Sequence, residues 1–334
     1  MMKTLFLFFI LLIGFTGIAL SQDAKELHEN AKAYINKGDY DNAELLLIKA
    51  LELLPSDLGI TKDLALTYYF QKKHAKSLEA IKPLLDKPDV DDQSFQIAGI
   101  IYKALDLPKE AEVMYKKAIK KFTNSGVLYN EYGELLSSMQ NPASINQWEK
   151  GIEMDPAYSG NYYNAARHYY FTTDKIWSII YSEIFINIDP LSARTPEVKG
   201  ILLDSYKKLF SDDFVKNLKG KNTFEQAFLQ SMNKVKVVAE NGINVESLIM
   251  IRTRFVLDWF EKYAAKFPTK LFEYHQQLLR EGIFPAYNQW MFGSIQNLMA
   301  YQSWITSHAT EYADFRKFQN GRIFKIPEGQ YYHK

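Results

Sequence analysis

The chain has 334 residues, 47% of them hydrophobic and 24% charged, with a formal net charge of +1. That apolar content can supply two real cores and excludes wholesale disorder. The near-balance of charge gives no overall basic field for nucleic acid or an anionic membrane, and the absence of cysteine excludes a disulfide framework, thiolate catalysis and cysteine-ligated zinc.

At the N-terminus, Met1-Met2-Lys3-Thr4 precedes an apolar run from Leu5 to Leu20 that closes on Ala19-Leu20-Ser21. A positive start, an apolar stretch and small residues at Ala19 and Ser21 predict a secretory signal over residues 1–21, cleaved after Ser21. The alternative is an uncleaved anchor, for which the run is short against a hydrocarbon layer of about 30 Å and is weakened by Gly14 and Gly17. No later apolar run is long enough to span a membrane, so no transmembrane segment is expected after cleavage. An exported chain without cysteine fits the periplasm of a Gram-negative cell, with release from the cell as the other destination.

Directly after the signal a period of 34 residues begins. Its first copy, residues 24–57, holds Ala31, Tyr34, Gly38-Asp39-Tyr40, Ala43, Leu47, Ala50 and Pro55. Two antiparallel helices that cross closely need small residues where their backbones meet, which is the part of Ala31, Ala43 and Ala50. Gly38 suits the turn between the helices and Pro55 marks the end of the second. The next copy, residues 58–91, carries Leu64, Ala65, Tyr68, Ser77 and Ile81, with Lys73-His74 standing in for the glycine turn. Residues 92–125 give Phe95, Ala98-Gly99, Tyr102, Ala111, Tyr115 and Ala118. From Gly126 come Tyr129, Tyr132-Gly133, Ser144, Trp148, Gly151 and Pro156, with one residue missing near Asn141-Pro142. The last copy, residues 159–192, has Tyr162, Ala165-Ala166, Tyr169, Asp174, Ser178 and Pro190, but Phe185 where a small residue is usual.

These residues resemble the tetratricopeptide repeat family, over about half of the chain. The resemblance implies a right-handed α-solenoid of about five helical hairpins over residues 22–192, with a concave groove lined by the first helix of each hairpin. It implies no activity. The positions that bind ligands in the family correspond here to His28, Lys32, Lys62, Tyr69, Gln96, Lys103, Asn130, Glu134, Tyr163, Arg167 and Tyr170. Tyrosine and arginine are favoured anchors for a protein or peptide partner. A clamp for terminal carboxylates is not expected, because its positions read His28, Lys32, Asp63, Gln93 and Ile97, and Asp63 would repel a carboxylate.

After Pro190 the period fades, and residues 193–334 read as a second helical unit, richer in aromatics. Thr195-Pro196-Glu197 predicts a helix start, and Thr223 with Gln226 a capping box. Helices are expected over 245–266, stopped by Pro268, over 270–280 and over 287–306. Gly321 to Pro327 alternates in the manner of an extended tail laid on the body. Helical spacing assigns Trp259, Trp290 and Trp304 to a core rather than to a glycan or peptide pocket.

No two of the six histidines stand at a metal-binding helical spacing, and no phosphate loop, dinucleotide fingerprint or glycine-flanked serine occurs. Ser205 with Lys208 and Ser231 with Lys234 match a serine–lysine spacing only at the rate chance allows. The expectation is an all-α, non-enzymatic periplasmic scaffold that binds a protein or peptide, without cofactor, metal or nucleic acid. The other readings are an enzyme or cell-wall-binding module in the C-terminal unit, and a structural homo-oligomer.

Overall fold

The structure, a computed structural model, describes residues 21–211 and 221–333, so the expected signal lies outside the described residues but for Ser21. Among the described residues there is no strand, and no helix is long and apolar enough to cross a membrane. The chain is an all-α, solenoid-type fold. It divides into two compact units, the first ending at Thr123 and the second beginning at Asn124.

The first unit holds α1 (21–36), α2 (Tyr40–Leu53), α3 (Leu58–Phe70), α4 (His74–Ile81), α5 (Asp92–Ala104) and α6 (Pro108–Lys121). The second opens with α7 (Gly126–Ser138), α8 (Ser144–Met154), α9 (Ser159–Phe171), α10 (Lys175–Ile188) and α11 (Thr195–Ser211). Then follow α12 (Thr223–Lys234), α13 (Lys236–Ala239), α14 (Val245–Lys262), α15 (Lys270–Arg280), α16 (Phe284–Asn288), α17 (Ser294–Gln296), α18 (Leu298–Ser307) and α19 (Ala309–Asn320).

Four hairpin turns are built alike. The N–H groups of Asp39, Lys73, Leu107 and Asn141 donate to the carbonyls of Tyr34, Tyr68, Tyr102 and Leu136 at 2.8–3.0 Å, the bond that closes a helix with a left-handed residue. The left-handed residues are Gly38, Lys72, Asp106 and Gln140, with φ of 74°, 61°, 54° and 55°. Only the first is the glycine that adopts this backbone without steric cost. In the second repeat the position falls on Lys72, one residue ahead of the Lys73-His74 pair expected to make the turn.

The small residues lie where the helices meet. Ala31, Ala65, Gly99, Gly133 and Ala166 are buried on the first helices, and Ala43, Ser77, Ala111, Ser144 and Ser178 on the second. Ala43, Ser77, Ala111 and Ser178 each stand fourth in their helix, whereas Ser144 opens α8. The deletion near Asn141 has therefore removed an opening turn and left the contact in place. A Cβ on Gly133 would run into the Trp148 indole, whose Nε1 donates to the Asn130 carbonyl at 3.2 Å. Ser77 and Ser178 donate across their hairpins to the carbonyls of Ala65 and Ala166, at 2.6 and 3.2 Å.

The core of the second unit forms around α10, which is buried on every side from Lys175 to Asn187. One apolar cluster contains Phe185 and Ile186 before Pro190 and Val198 and Leu202 after it, so the division expected at 192/193 lies inside this unit. Because α10 has no exposed face, Phe185 has room to lean on the Tyr163 ring, 5.6 Å away, where an outer hairpin carries a small residue. Glu183 sits at the centre of this apolar helix. It accepts hydrogen bonds from Arg252 of α14, from His275 of α15 at 2.7 Å and from Tyr287 of α16 at 2.7 Å. Burial alone would push its carboxyl up, but Arg252, His275 and Tyr287 hold it down at about 2. Burial also lowers His275, which stays neutral and donates to Glu183 through Nε2.

Local details depart from the sequence reading. The capping box of α12 is Asn222 with Glu225, one residue ahead of Thr223 and Gln226. The Thr195 hydroxyl does not cap its helix but reaches back to the Asp189 carbonyl at 2.8 Å. The helix expected over 287–306 is broken: a π-helical turn covers Gln289–Gly293, and Asn297, extended at φ −158°, caps α18. The chain turns at Asn297, and this folds Tyr301 back against Gly293, where a Cβ would run into its ring. Trp259 and Trp290 are core, while Trp304 is half-buried and stacks on His308 at 4.4 Å.

Residues 322–333 form a strap without regular structure. Phe324 and Ile326 turn toward the core while Ile323 is 82% exposed, so the alternation survives without a partner strand. Further along, Tyr332 stacks on Phe224 at 4.9 Å and donates to the Pro268 carbonyl at 2.7 Å. His333 lies 2.6 Å from the Tyr169 hydroxyl and 3.1 Å from the Glu149 carboxylate.

Relief of the left-handed backbone at Gln140→Gly is expected to raise stability by roughly 0.5–1 kcal/mol, read from the urea midpoint. Arg252→Met, which leaves Glu183 buried without its cation, is expected to cost about 3–5 kcal/mol, and adding Glu183→Leu should recover part of the loss. Both lowered groups bind fewer protons folded than unfolded, so stability falls with acid in two steps. The first begins below the ordinary 6.5 of His275 and is absent in His275→Gln; the second runs from the ordinary 4.5 of Glu183 toward about 2. Thermal midpoints measured across pH check both.

Candidate functional site

A trough of about 630 Å³ opens in the second unit along α7 and α9, with Arg194 ahead of α11 on its wall. Tyr163 and Phe171 both line it and stand eight residues apart on α9, about 12 Å along the helix axis. The Tyr163 ring is the centrepiece. The Arg194 guanidinium lies 4.4 Å from it and that of Arg167 5.4 Å, within reach for cation–π attraction. The Tyr163 hydroxyl donates to Glu197 at 2.9 Å, and Glu197 also accepts from Arg167 at 3.1 Å, so ring and guanidinium are fixed before any ligand arrives. Arg194 is exposed and has no ion pair among the described residues. Burial raises the Tyr163 hydroxyl above its ordinary value, so it is a neutral donor at physiological pH.

At one side of Tyr163 the polar groups come from α7. Asn164 donates to Asn130 at 2.8 Å and to Glu134 at 3.1 Å, and Asn130 donates to Glu134 at 3.1 Å. Toward the end of α9, Trp148 and His168 meet edge to face at 6.4 Å, and burial lowers the imidazole so that it is neutral. Phe171 is 79% exposed on the rim. The trough thus offers a cation-flanked ring, a bank of amides and an exposed aromatic edge. It can grip an extended segment but carries no aligned nucleophile and base among its lining residues.

Of the positions expected to line a groove, Glu134, Tyr163 and Arg167 face this trough and Asn130 stands behind them. Tyr170 turns instead to α11, donating to Asp204 at 2.8 Å beneath the Lys208 ammonium. In the first unit His28 and Lys62 are engaged with the repeat that follows their own. His28 pairs with Asp63 at 2.6 Å, and Lys62 bonds Asp91 and, at 2.7 Å, Gln93. Lys32 pairs with Glu29 at 2.8 Å, and Tyr69 packs on His74 with ring centres 5.4 Å apart. Gln96 is half-buried and Lys103 exposed. The serine–lysine pairs are structural: Ser205 is buried against Ser178 at 2.8 Å, and Ser231 donates to Asp258 at 2.7 Å, which also binds Lys234.

Asn130 with Asn164, Tyr163 with Glu197 and Tyr170 with Asp204 are each 34 residues apart, and all join one first helix to the next. The same interval separates three of the left-handed turns from their predecessors. The hairpins are tetratricopeptide-type repeats. In these TPR-type hairpins α11 serves as a sixth first helix, lying against α9 and α10, although the period had been expected to fade after Pro190. Gly200, in phase with Ala166, was the signal for it, whereas Asn164 stands one place past Tyr163, the residue in phase with Asn130 across the shortened repeat. Phe171 occupies the thirteenth position of its repeat, next to Tyr170, whereas Arg194 lies beyond the last copy read from the period.

No family model and no curated protein matches the sequence. Among solved structures the chain is similar to a tetratricopeptide repeat protein from Parabacteroides merdae, at 15% identity and a TM-score of 0.44 over 72% of this chain and 92% of that one. It is also similar to PilF of Pseudomonas aeruginosa, at 16% and 0.49 over 64% and 99%. A third is YrrB, described as a TPR protein with an unusual peptide-binding site, at 19% and 0.39 over 53% and 92%. None of these likenesses transfers a ligand to this chain.

Proposed function

We propose that the protein is a non-enzymatic scaffold that holds a segment of a partner protein in the trough beside Tyr163. The observation that carries this reading is the ring fixed between Arg167 and Arg194 in an open trough of about 630 Å³. Hot spots of protein interfaces are enriched in tyrosine, tryptophan and arginine, and fixed side chains lose little entropy on binding. Arg194 would take an acidic side chain of the partner, and Trp148 with Phe171 an apolar one. The work is done outside the cytoplasm, a reading supported by the apolar run from Leu5 to Leu20 behind Lys3 and ahead of Ala19 and Ser21.

Affinity capture with the mature chain from its own cell envelope should recover a specific protein. Arg194→Glu and Phe171→Ala, both at exposed positions, should each weaken that capture by about tenfold or more, while leaving the melting curve unchanged. Capture that survives both changes together would reject the trough as the binding site.

A further inference from the structure

A second cavity, of about 260 Å³, lies in the same unit, away from the trough. Its walls come from the end of α10, the first turns of α15, the end of α19 and the beginning of the strap. Two cations line it, Lys270 and Arg322, and no carboxylate does. The Arg322 guanidinium rests 4.3 Å from the Phe318 ring and has no ion pair among the described residues. Lys270 has a loose neighbour in Glu273, 3.8 Å away with both side chains about two-fifths exposed, a geometry in which water screens most of the attraction.

The rest of the lining is mixed in a way that selects a ligand. Gln277 and Gln319 add amide groups, and Gln319 already has its carbonyl oxygen occupied by Arg316 at 2.5 Å, which leaves its N–H donors. The opposite chemistry comes from Ile188 and from Phe324, whose ring meets Tyr274 edge to face at 5.3 Å. Uncompensated cations with amide donors call for an anion, and the apolar wall calls for a hydrocarbon part that an inorganic ion lacks. The volume falls just under the roughly 300–1,000 Å³ that holds drug-sized ligands, which limits the occupant to about the size of an amino acid.

We propose that this cavity binds a small organic carboxylate, its anionic group held by Lys270 and Arg322 and its apolar part laid against Phe324 and Ile188. Such a carboxylate belongs either to a free organic acid or to the terminal residue of a peptide. Since Arg322 and Phe324 stand on the strap, the ligand would join the strap to α15.

Isothermal titration of the full mature chain tests this with four probes: phenylacetate, an acetylated hexapeptide ending in phenylalanine with a free carboxylate, the same peptide amidated, and inorganic phosphate. The expected result is binding of phenylacetate, of the free-acid peptide or of both, which tells the two sources apart, with the amide and phosphate at least tenfold weaker. Lys270→Gln and Arg322→Gln should each lower the carboxylate affinity roughly tenfold, the loss of one charged hydrogen bond. Both positions are solvent-facing, and an unchanged melting curve in buffer alone shows that each variant is folded. The proposal is overturned if neither carboxylate binds at millimolar concentration, if the amide or phosphate binds as tightly, or if both variants bind like the parent.

Discussion

Two helices joined by three residues must fold back along each other, and how near they approach is set by the side chains at the crossing. That approach is the constraint on which the repeats rest. Buried small residues such as Ala31 and Ala43, or Gly133 beside Trp148, let backbones come close enough for larger residues to fill the flanks. The serines at Ser77 and Ser178 meet the same requirement and add a bond to the opposite helix. Once the approach is fixed, the direction of the next hairpin follows, and polar pairs such as Asn130 with Asn164 come into reach.

The second unit adds a different constraint. In α10 a buried carboxylate must find partners, and Glu183 draws them from three helices that lie far along the chain. Hydrophobic clustering alone would permit several arrangements of those helices, whereas a charge inside the core restricts them to the one in which it is satisfied. The requirement helps to explain why the core runs through Pro190 without interruption. The burial of α10 on every side accounts for Phe185, which packs on Tyr163 where an outer hairpin carries a small residue.

Much of this was legible in the sequence, and the exceptions have physical reasons. Periodic alanine and glycine mark close approach, so the hairpins and their phase could be read directly. The turns could not be read in full, because Lys72, Asp106 and Gln140 adopt a left-handed backbone that glycine usually signals. Glu183 looked like an ordinary acid in an apolar helix, since its partners are separated from it by 69 to 104 residues. In the trough, Tyr163 and Arg167 were visible through the repeat, but Arg194 lies in a connection that obeys no period. The cavity beside Lys270 was hidden for a related reason: the strap that completes it has no periodicity of its own.

The strap also bears on the order in which the molecule can assemble. His333 meets Tyr169 at a separation of 164 positions along the chain, and Tyr332 covers Phe224. Hairpins of neighbouring residues close quickly, whereas a contact of this span must wait for a large loop to shut. The early hairpins can therefore form on their own, whereas the later half lacks its last cover over Phe224 until the strap docks.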